Sequence, residues 1–365
     1  MRPLLTVSRP IRIGSTDVLA LVLYLFFFSL LIPNLSTAQT SLTGTLSTED
    51  LGYYLVQAFD ADQPTNRQPI NHLGIEGTKV TKGIMVTGVL EGYPAHAVGV
   101  RRGDIILSVN DKPFHQVLTL NPEAGSEIFE PDLDAINLSY LRNNTTHTKR
   151  LNAVFENLFD SYRTATHNSV LEFNSGNKVI GYVRLWAFSR STHDLNNFRE
   201  ILTSLDHCDG IILDLRSGYG FIDHIHFASF LSENELKSIL GKGEFSKIES
   251  LTSSTYRKPV GILIDNQTIG SSEFFASALA QLSRTVVIGA TSAGKFGNFQ
   301  KNTRNSRADD TPKFVYKPQA NEEQYKFANE GRGLVPDQKV SFPFTKNIAG
   351  DLQFDAAVLT LLGII

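Results

Sequence analysis

The sequence predicts a multidomain protein in which a small β-rich barrel precedes a larger domain of α/β layers. A chain of 365 residues with 41% hydrophobic and 19% charged content can bury substantial cores and suits about two domains. From residue 68 to 155, short alternating apolar runs are separated by turn residues, which is typical of β-strands. From residue 156 to 365, strand-like and helix-like runs alternate, which favours an α/β domain. Residues 39–67 form an N-terminal segment before both domains.

The first 38 residues have the pattern of a secretory signal peptide. Three arginines precede an apolar run over residues 18–32, and the small residues 36–38 follow as a cleavage region. The apolar run is short for a comfortable membrane span. We therefore expect the body of the protein to be exported, either to the periplasm or out of the cell. The alternative is an uncleaved segment that anchors the protein in a membrane.

Charge and cysteine content narrow the choice of partners. Without residues 1–38 the protein keeps 31 of its 34 basic and 36 of its 37 acidic residues, a formal charge of about −5. This charge gives no reason to expect nucleic acid as a partner. The single cysteine, Cys208, cannot form an internal disulfide, so core packing must stabilise the exported fold. Its position just before a predicted strand favours a packed small residue over a nucleophile.

The first domain is predicted to consist of short strands and turns. Strands are expected over Ile84–Val89 and Asp104–Asn110, with a helical turn over Pro94–Val100 between them. Further on, Ile136–Leu141 alternates and meets the turn Asn143-Asn144 before a second strand. These elements suit a small β-barrel.

Several motifs in this barrel resemble a PDZ domain of the bacterial protease-associated type. They are Gly83-Ile84-Met85-Val86, Pro94-Ala95, Gly99-Val100, Gly103-Asp104 and Asn110. The resemblance implies that Leu73, Gly74 and Ile75 form the carboxylate-binding loop and edge strand, to which a peptide adds as a further strand. The ends of polypeptides, bound through their terminal carboxylate, are the implied partner. The alternative is a domain that only braces its neighbour, since residues 116–132 depart from the usual groove helix.

The second domain alternates strands with helices, and its strand ends predict the location of a site. Ligand and catalytic sites in such folds cluster where parallel strands end. The predicted elements are strands over residues 178–188, 209–215, 260–265 and 285–288, and helices over 194–205 and 272–282.

A hydroxyl pair and a lysine amine supply the candidate chemistry in this domain. Ser271 and Ser272 open an apolar helix, and Lys295 follows the next strand. A lysine acts as a base only when neutral, and its free pKa of about 10.4 must fall by about 3 units, worth ~4 kcal/mol, to supply that form near pH 7. Burial between apolar side chains lowers a lysine pKa in this way. The expected walls are Ile269, Phe274 and Phe296, rather than carboxylates.

A glycine-rich turn, Ser217-Gly218-Tyr219-Gly220, follows the predicted strand that ends at residue 215. Its glycines could expose backbone N–H groups to a substrate carbonyl and form part of an oxyanion hole. The alternative is a turn that needs positive φ for structural reasons alone.

Together with Glu273, Gln300 and Gly333-Leu334-Val335-Pro336-Asp337, these motifs resemble the tail-specific or C-terminal processing proteases of family S41, from residue 68 almost to the C-terminus. The resemblance implies a core of the ClpP/crotonase-like α/β type and a serine endopeptidase without metal or organic cofactor. It implies Lys295 as general base, Gln300 as the residue that orients it, and oxyanion donors near Gly220 and Ser272.

The sequence departs from the family at the nucleophile. The family's catalytic serine stands three residues before the helix-opening glutamate, and that position here is Gly270. Ser271, the nearest hydroxyl and one residue later, is then the predicted nucleophile. Adjacent helical residues point about 100° apart, so Ser271 and Ser272 cannot both face the lysine, and Ser271 is preferred. Both serines could instead cap the helix N-terminus. In that case the protein is an inactive relative that binds the ends of polypeptides without cleaving them.

Two further motifs suggest other chemistry. Residues 289–295 have the Gly-x-x-x-x-Gly-Lys spacing of a phosphate-binding loop, but Phe296 replaces the hydroxyl that would hold Mg²⁺. His224 and His226 offer metal-ligand types, but their spacing in a helical setting suits a solvated helix face better.

Overall fold

The computed structural model describes residues 44–124, 134–241, 256–302, 313–318, 330–343 and 350–365. The predicted signal peptide, residues 1–38, lies outside these described residues. All of the described residues belong to one compact unit, Thr40–Ile365. Across the described part, no helix combines the length and the apolar character needed to cross a membrane.

The segment before the barrel packs onto the rest of the molecule through aromatic side chains. It contains strand β1 (Thr45–Leu46), helix α1 (Leu51–Asp60) and strand β2 (Ile70–His72). Helix α1 buries Tyr53, Tyr54 and Phe59 on its inner face. The ring of Phe59 lies edge-on to Tyr219, with ring centroids 5.3 Å apart. The glycine-rich turn of the second domain is therefore supported by the N-terminal segment.

A six-stranded antiparallel sheet forms the predicted barrel domain. Its elements are β3 (Ile75–Val80), β4 (Gly83–Val89), α2 (Pro94–Ala97), β5 (Ile105–Val109), β6 (Lys112–Pro113), β7 (Ile136–Arg142) and β8 (Thr145–Leu151). The strand order is β3-β4-β5-β7-β8, with β6 beside β5, so β3 is an edge strand. The side chains of Val86, Ile106 and Leu138 are fully buried in its core. Asn143 and Asn144 have positive φ, as the tight turn between β7 and β8 requires.

A mixed six-stranded sheet forms the centre of the second domain. The backbone enters it through β9 (Val154–Glu156), which pairs with β2, and helix α3 (Leu158–Asn168). The strand order is β10-β11-β13-β15-β16-β19, and only the edge strand β10 runs antiparallel to its neighbour. In chain order, the elements of the second domain, including strands outside this sheet, are β10 (Leu171–Ser175), β11 (Lys178–Arg184), β12 (Ala187–Phe188), α4 (Thr192–Ser204), β13 (Gly210–Asp214), β14 (Tyr219–Gly220), α5 (His224–Ala228), α6 (Glu233–Leu240), β15 (Val260–Ile264), α7 (Gly270–Leu279), β16 (Thr285–Gly289), β17 (Asn298–Asn302), β18 (Lys313–Lys317), β19 (Gln338–Lys339) and α8 (Leu352–Leu362).

Helices cover both faces of this sheet. Phe227, Phe230 and Phe275 are fully buried in the core on the side of helices α5 and α7. Ala357 and Leu361 of α8 are buried with Ile212 and other strand residues in a second core. The carboxyl ends of β13, β15 and β16 meet at one edge of the sheet, where the predicted site residues lie.

The structure corrects two sequence predictions in this domain. The strand predicted over residues 178–188 is broken, because β11 ends at Arg184 and Ala187–Phe188 leaves the main sheet to pair with the glycine-rich turn as β12. Helix α8 was not predicted, since its residues are apolar nearly all round and show no helical periodicity.

A separate three-stranded sheet, with the order β1-β18-β17, lies beside the predicted lysine. Strand β17 begins three residues after Lys295 and pairs antiparallel with β18. Phe299 and Phe314 from these strands are buried in the same core as the aromatic residues of α1. The segment that carries the lysine therefore rests on a packed sheet.

Candidate active site

Helix α7 begins at the position where the S41 resemblance places a nucleophile. Its first residue is Gly270, which has φ of +55° and donates its N–H to the carbonyl of Lys295 at 2.6 Å. A Cβ built on Gly270 would have the Gly297 carbonyl oxygen, at 3.5 Å, and Asn298 Oδ1, at 4.0 Å, as its nearest neighbours. Position 270 thus has space for a side chain, which would face the segment that follows Lys295, but the positive φ of Gly270 would strain the backbone of any other residue there.

The two serine hydroxyls make hydrogen bonds to a different segment. Ser271 Oγ accepts from the N–H of Ile222 at 3.2 Å. Ser272 is fully buried, and its Oγ donates to the carbonyl of Gly218 at 2.9 Å. Both hydroxyls therefore contact the stretch between residues 217 and 223, which follows β13, while position 270 faces the lysine segment.

The structure also corrects the capping explanation of these serines. The N-cap of α7 is Ile269, which makes no side-chain capping bond, so the serines lie within the first helical turn. Ser272 has a structural role of another kind, because it bonds the glycine-rich turn to the helix. The N–H of Ser272 lies among the first N–H groups of the helix, which have no partner within a helix and suit an oxyanion donor.

Glu273 holds the segment that carries the lysine. The carboxylate is fully buried and accepts from the N–H groups of Gly294 and Lys295, each at 2.8 Å, and from the hydroxyl of Ser292. Burial raises the pKa of Glu273, and these hydrogen bonds oppose the rise. One carboxylate of α7 thus fixes the backbone on both sides of Gly294.

A second carboxylate, Glu330, holds the other side of the lysine. It accepts from the N–H of Phe296 at 2.9 Å and from the hydroxyl of Tyr316 at 2.5 Å. Tyr316 accepts in turn from the N–H of Gly297 at 2.8 Å. Sequence reasoning missed Glu330 and Tyr316, because both lie in a polar stretch with no motif and reach the site only through the fold.

Lys295 is half-buried, with its Nζ 5.8 Å from the centroid of the Tyr316 ring. Burial lowers the pKa of Lys295, while the charges of Glu330 and Glu273 oppose this shift. A lowered pKa is the direction that a lysine acting as a general base requires. The expectation of a pocket without carboxylates was wrong, since two carboxylates hold the backbone around the amine and favour its charged form.

Gln300 lies five residues after Lys295, in strand β17 opposite Val315. It is exposed, whereas the preceding residue, Phe299, is buried. Successive side chains of a strand point to opposite faces, so Gln300 lies on the open face of this sheet.

The glycine-rich turn is tightly constrained. Ser217 has φ of +63°, which is uncommon for a residue with a side chain, and Gly220 has φ of +128°. A Cβ on Gly220 would lie 2.0 Å from the carbonyl oxygen of Phe188, so only glycine fits there. The structural explanation of these glycines holds, and it is compatible with a role in an oxyanion hole.

The predicted peptide groove of the barrel domain is partly filled by its own residues. Leu73 is buried, Gly74 donates its N–H to His72 Nδ1 at 3.2 Å, and Ile75 pairs with Val89 of β4. In the amide orientation that satisfies both of its ends, Gln116 donates to the carbonyl of Gly77 and accepts from its N–H, each at 3.1 Å. A side chain therefore occupies part of the edge of β3 to which a peptide would add.

A buried ion pair joins the barrel domain to the loop that leads into α7. Arg102 donates to Asp265 at 2.8 Å, to the carbonyl of Thr87 at 2.7 Å and to Gln353 at 3.2 Å. Both charged side chains are almost fully buried. Asp265 follows β15 directly, five residues before Gly270. The sequence showed no sign of this contact, since its partners are 163 residues apart.

A second buried ion pair supports the start of the glycine-rich turn. Arg216 bonds Asp214 at 2.5 Å and Asp351 at 2.7 Å. Although burial acts to raise it, Arg216 and Arg184 hold the pKa of Asp214 well below its usual range. The end of β13 is thereby tied to the loop before α8.

Comparison with known proteins identifies the two domains. Residues 179–340 match the model of peptidase family S41, and residues 71–152 match the model of a PDZ domain. Residues 179–340 thus form a domain of the peptidase S41 type, and residues 71–152 form a PDZ domain. The S41 region contains both the glycine-rich turn and the lysine segment. The family prediction and the fold prediction made from the sequence are thus confirmed.

The individual relatives share low sequence identity with this chain. A carboxy-terminal-processing protease of Bartonella bacilliformis is 28% identical over 76% of this protein and 63% of its own length. The chloroplastic carboxyl-terminal-processing peptidase 2 of Arabidopsis thaliana is 24% identical over 58% of this protein and 42% of its own length. The chain thus spans less than two thirds of the length of either relative. A Bacteroides fragilis structure assigned to the S41 proteases shares the fold, with a TM-score of 0.52 and 17% identity over 82% of this protein and 84% of its own length.

The two remaining sequence motifs, the Gly-x-x-x-x-Gly-Lys stretch and the pair of His224 and His226, have structural explanations. No helix follows the Gly-x-x-x-x-Gly-Lys stretch among the described residues 290–302, where the backbone runs into strand β17, so this stretch is not a phosphate-binding loop. His226 is buried in the short helix α5, where its Nδ1 accepts from the N–H of Asp223 at 2.9 Å in a capping box. This nitrogen is therefore engaged in capping the helix.

Proposed function

We propose that this S41 protein binds polypeptides in a protease-like cleft without cleaving them. The observation that carries the proposal is the direction of the side chains at the start of α7. Position 270, which faces the lysine segment, is glycine, while the hydroxyls of Ser271 and Ser272 are bonded to the opposite segment. A base without a hydroxyl to activate cannot form an acyl-enzyme.

The remaining parts of the site suit binding. The first turn of α7 presents N–H groups, and the positive end of the helix dipole favours a carbonyl oxygen or a carboxylate. Burial lowers the pKa of Lys295, and the charges of Glu330 and Glu273 oppose this shift; in its charged form Lys295 adds a cation nearby. The PDZ domain supplies an edge strand for an extended peptide, and we propose the C-terminal ends of polypeptides as its partner. The basic and apolar pattern of residues 1–38 supports export as the setting.

The second candidate is a serine endopeptidase with Ser271 as nucleophile, Lys295 as base and Gln300 as orienter. It is favoured by the way Ser271 Oγ accepts from Ile222 N–H, because its own hydrogen stays available to a base. In this reaction neutral Lys295 takes that proton while Oγ attacks the peptide carbonyl carbon. N–H groups near Gly220 and Ser272 stabilise the oxyanion, and Lys295 returns the proton to the leaving amine.

Digestion of casein and of a tagged peptide by residues 39–365 separates the two candidates. We expect the native protein to bind the peptide in fluorescence anisotropy and to leave it intact. Gly270→Ser should create cleavage, which the double variant Gly270→Ser/Lys295→Ala loses. Cleavage by the native protein that disappears in both Ser271→Ala and Lys295→Ala would overturn the proposal in favour of the endopeptidase. Absence of peptide binding in every variant would rule out both candidates.

A further inference from the structure

A carboxylate, an imidazole and a thiol meet at one edge of the main sheet, away from the candidate active site. Glu172 belongs to the edge strand β10, and His207 and Cys208 lie in the turn between α4 and β13. One ligand atom from each of the three residues lies within 4.8 Å of the other two. The turn precedes β13, whereas the candidate active site follows the carboxyl end of that strand. The two groups of residues therefore lie at opposite ends of the sheet.

The hydrogen bonds of His207 leave one ring nitrogen facing an anion. Nδ1 lies 3.0 Å from the carbonyl oxygen of Ser204, which can only accept, so Nδ1 carries the hydrogen of a neutral ring. Nε2 then turns its lone pair toward Glu172 Oε2, 3.1 Å away. Two acceptors cannot bond each other, so Nε2 requires either a second proton or a cation. A backbone carbonyl on the other nitrogen is the usual arrangement of a histidine that binds a metal.

The sulfur of Cys208 approaches the same nitrogen. Sγ lies 3.9 Å from His207 Nε2, and the residue is fully buried. Burial raises the pKa of the Cys208 thiol, and the charge of Glu172 raises it further, so the sulfur keeps its proton in the absence of a cation. Lys258 donates to the carbonyls of Asp206 and Cys208 and fixes the turn. The three ligand atoms are thus held by packing and by backbone contacts.

We propose that Glu172, His207 and Cys208 bind one Zn²⁺ ion, with water at the fourth position. A set of one sulfur, one nitrogen and one oxygen suits zinc and does not suit Mg²⁺ or Ca²⁺, which prefer oxygen ligands. Tetrahedral zinc, with bonds of about 2.0–2.3 Å, separates its ligand atoms by roughly 3.3–3.6 Å. The observed separations of 3.1 and 3.9 Å, with the third within 4.8 Å, need side-chain movements of roughly 1 Å.

Zinc binding has a defined proton balance and a structural consequence. The S–H bond of Cys208 breaks, its proton goes to solvent, and a Zn–S bond forms, so the affinity for zinc rises with pH until the thiol ionises readily. The half-exposed Glu172 and His207 leave the ion accessible from solvent. The ion would link the edge strand β10 to the turn before β13, and it would stabilise this end of the sheet.

Metal titration of residues 39–365 tests this proposal, with calorimetry for Zn²⁺ and absorbance for Co²⁺. We expect one equivalent of each metal to bind, with a sulfur-to-cobalt charge-transfer band. Cys208→Ser should abolish the band, and His207→Asn should weaken zinc binding by more than about tenfold. The exposed His207 gives a variant that folds even if the buried Cys208 does not tolerate substitution. His193→Asn, an exposed histidine in α4, is the matched control and should bind normally.

Two results would overturn the assignment. One is the absence of saturable binding at one equivalent by the native protein. The other is binding that His207→Asn and Cys208→Ser leave unchanged. Either result would mean that a second proton on His207, paired with Glu172, accounts for the contact without a metal.

Discussion

The candidate active site has a lysine side, the segment around Lys295, and a serine side, the start of helix α7. The two sides differ in how many of the expected groups are in place. Two carboxylates, Glu273 and Glu330, accept hydrogen bonds from three consecutive N–H groups around Lys295, so the backbone of this segment has a defined position. On the serine side, position 270, which faces the backbone segment after Lys295, has no side chain. The backbone around Lys295 is thus fixed by several hydrogen bonds, whereas the side chain that would complete a serine–lysine pair is absent at position 270. A lysine in a protease-like setting is therefore weak support for proteolysis by itself.

Removing Glu273 should cause the largest loss of stability on the lysine side. Glu273→Ala leaves two N–H groups and the Ser292 hydroxyl without their acceptor, and each buried unpaired N–H costs about 1–3 kcal/mol. We expect the free energy of unfolding to fall by about 2–5 kcal/mol, measured by urea denaturation. Glu233→Ala, in the first turn of α6, is the matched control and should change it by less than about 0.5 kcal/mol. Equal losses in the two variants would show that the lysine segment does not depend on Glu273.

Lowering the pH should destabilise the fold around the serine side of the site, where His226 is buried in its neutral form. Burial lowers the pKa of His226 to about 4, and its Nδ1 accepts from the N–H of Asp223, next to the Ile222 that bonds Ser271. The unfolded protein binds a proton near pH 6.5 that the folded protein refuses until about pH 4, so stability falls as pH drops through this window. The shift of about 2.5 units corresponds to roughly 3 kcal/mol.

This prediction is checked by urea denaturation between pH 7 and pH 4.5 in native protein and in His226→Gln. We expect the variant to lose stability less steeply over this range. His224→Gln, an exposed neighbour in α5, should keep the native slope. If native protein and His226→Gln show the same dependence on pH, His226 does not set the acid sensitivity.

Ser272→Ala should cost more stability than Ser271→Ala. The buried Ser272 hydroxyl satisfies the carbonyl of Gly218, and its loss should cost about 1–2 kcal/mol. Ser271 is half-buried and its partner N–H can find water, so we expect a cost of about 0.5 kcal/mol or less. Thermal unfolding of both variants measures the difference. A larger loss for Ser271→Ala would reverse the structural assignment of the two hydroxyls.

The smallest expected effect concerns the PDZ domain. Gln116→Ala removes the amide that bonds Gly77 at the edge of β3, so an incoming peptide no longer competes with two internal hydrogen bonds. Each such bond contributes about 0.5–1.5 kcal/mol, and for a net gain of about one bond by the peptide, its affinity should rise by about 3- to 10-fold. Fluorescence anisotropy with an apolar-ended peptide measures the change. The exposed Lys112→Ala is the control, and unchanged affinity in Gln116→Ala would place the peptide elsewhere.

The sequence predicted those parts of the protein that depend on neighbouring residues. Alternating apolar residues and the turn Asn143-Asn144 located the strands of the PDZ domain, because strand pairing and turn geometry are local properties. Counting back from Glu273 also located Gly270, and the structure places that glycine at the helix start. The prediction of Ser271 as nucleophile rests on the same count and remains a prediction.

The parts that the sequence did not predict depend on contacts between distant residues. Tyr316 reaches the lysine segment from strand β18 and Glu330 from a turn, and Arg102 reaches Asp265 from another domain. Such partners carry no periodic signal, and their pairing follows only from the packing of whole elements. The expectation of apolar side chains rather than carboxylates around Lys295 was wrong, because Glu330 reaches this segment from outside the motif and the side chain of Glu273 folds back onto it.

The ion pair between Arg102 and Asp265 has a consequence for how the protein can be divided. Each member is an almost fully buried charge whose compensation comes from across the domain boundary and from neighbouring polar groups. Separating the two domains would leave each charge exposed to solvent or buried without its partner, and breaking a buried pair costs about 3–5 kcal/mol. Residues 156–365 expressed alone should therefore be less stable than the same residues in the whole protein, because the stability of each domain depends on the other.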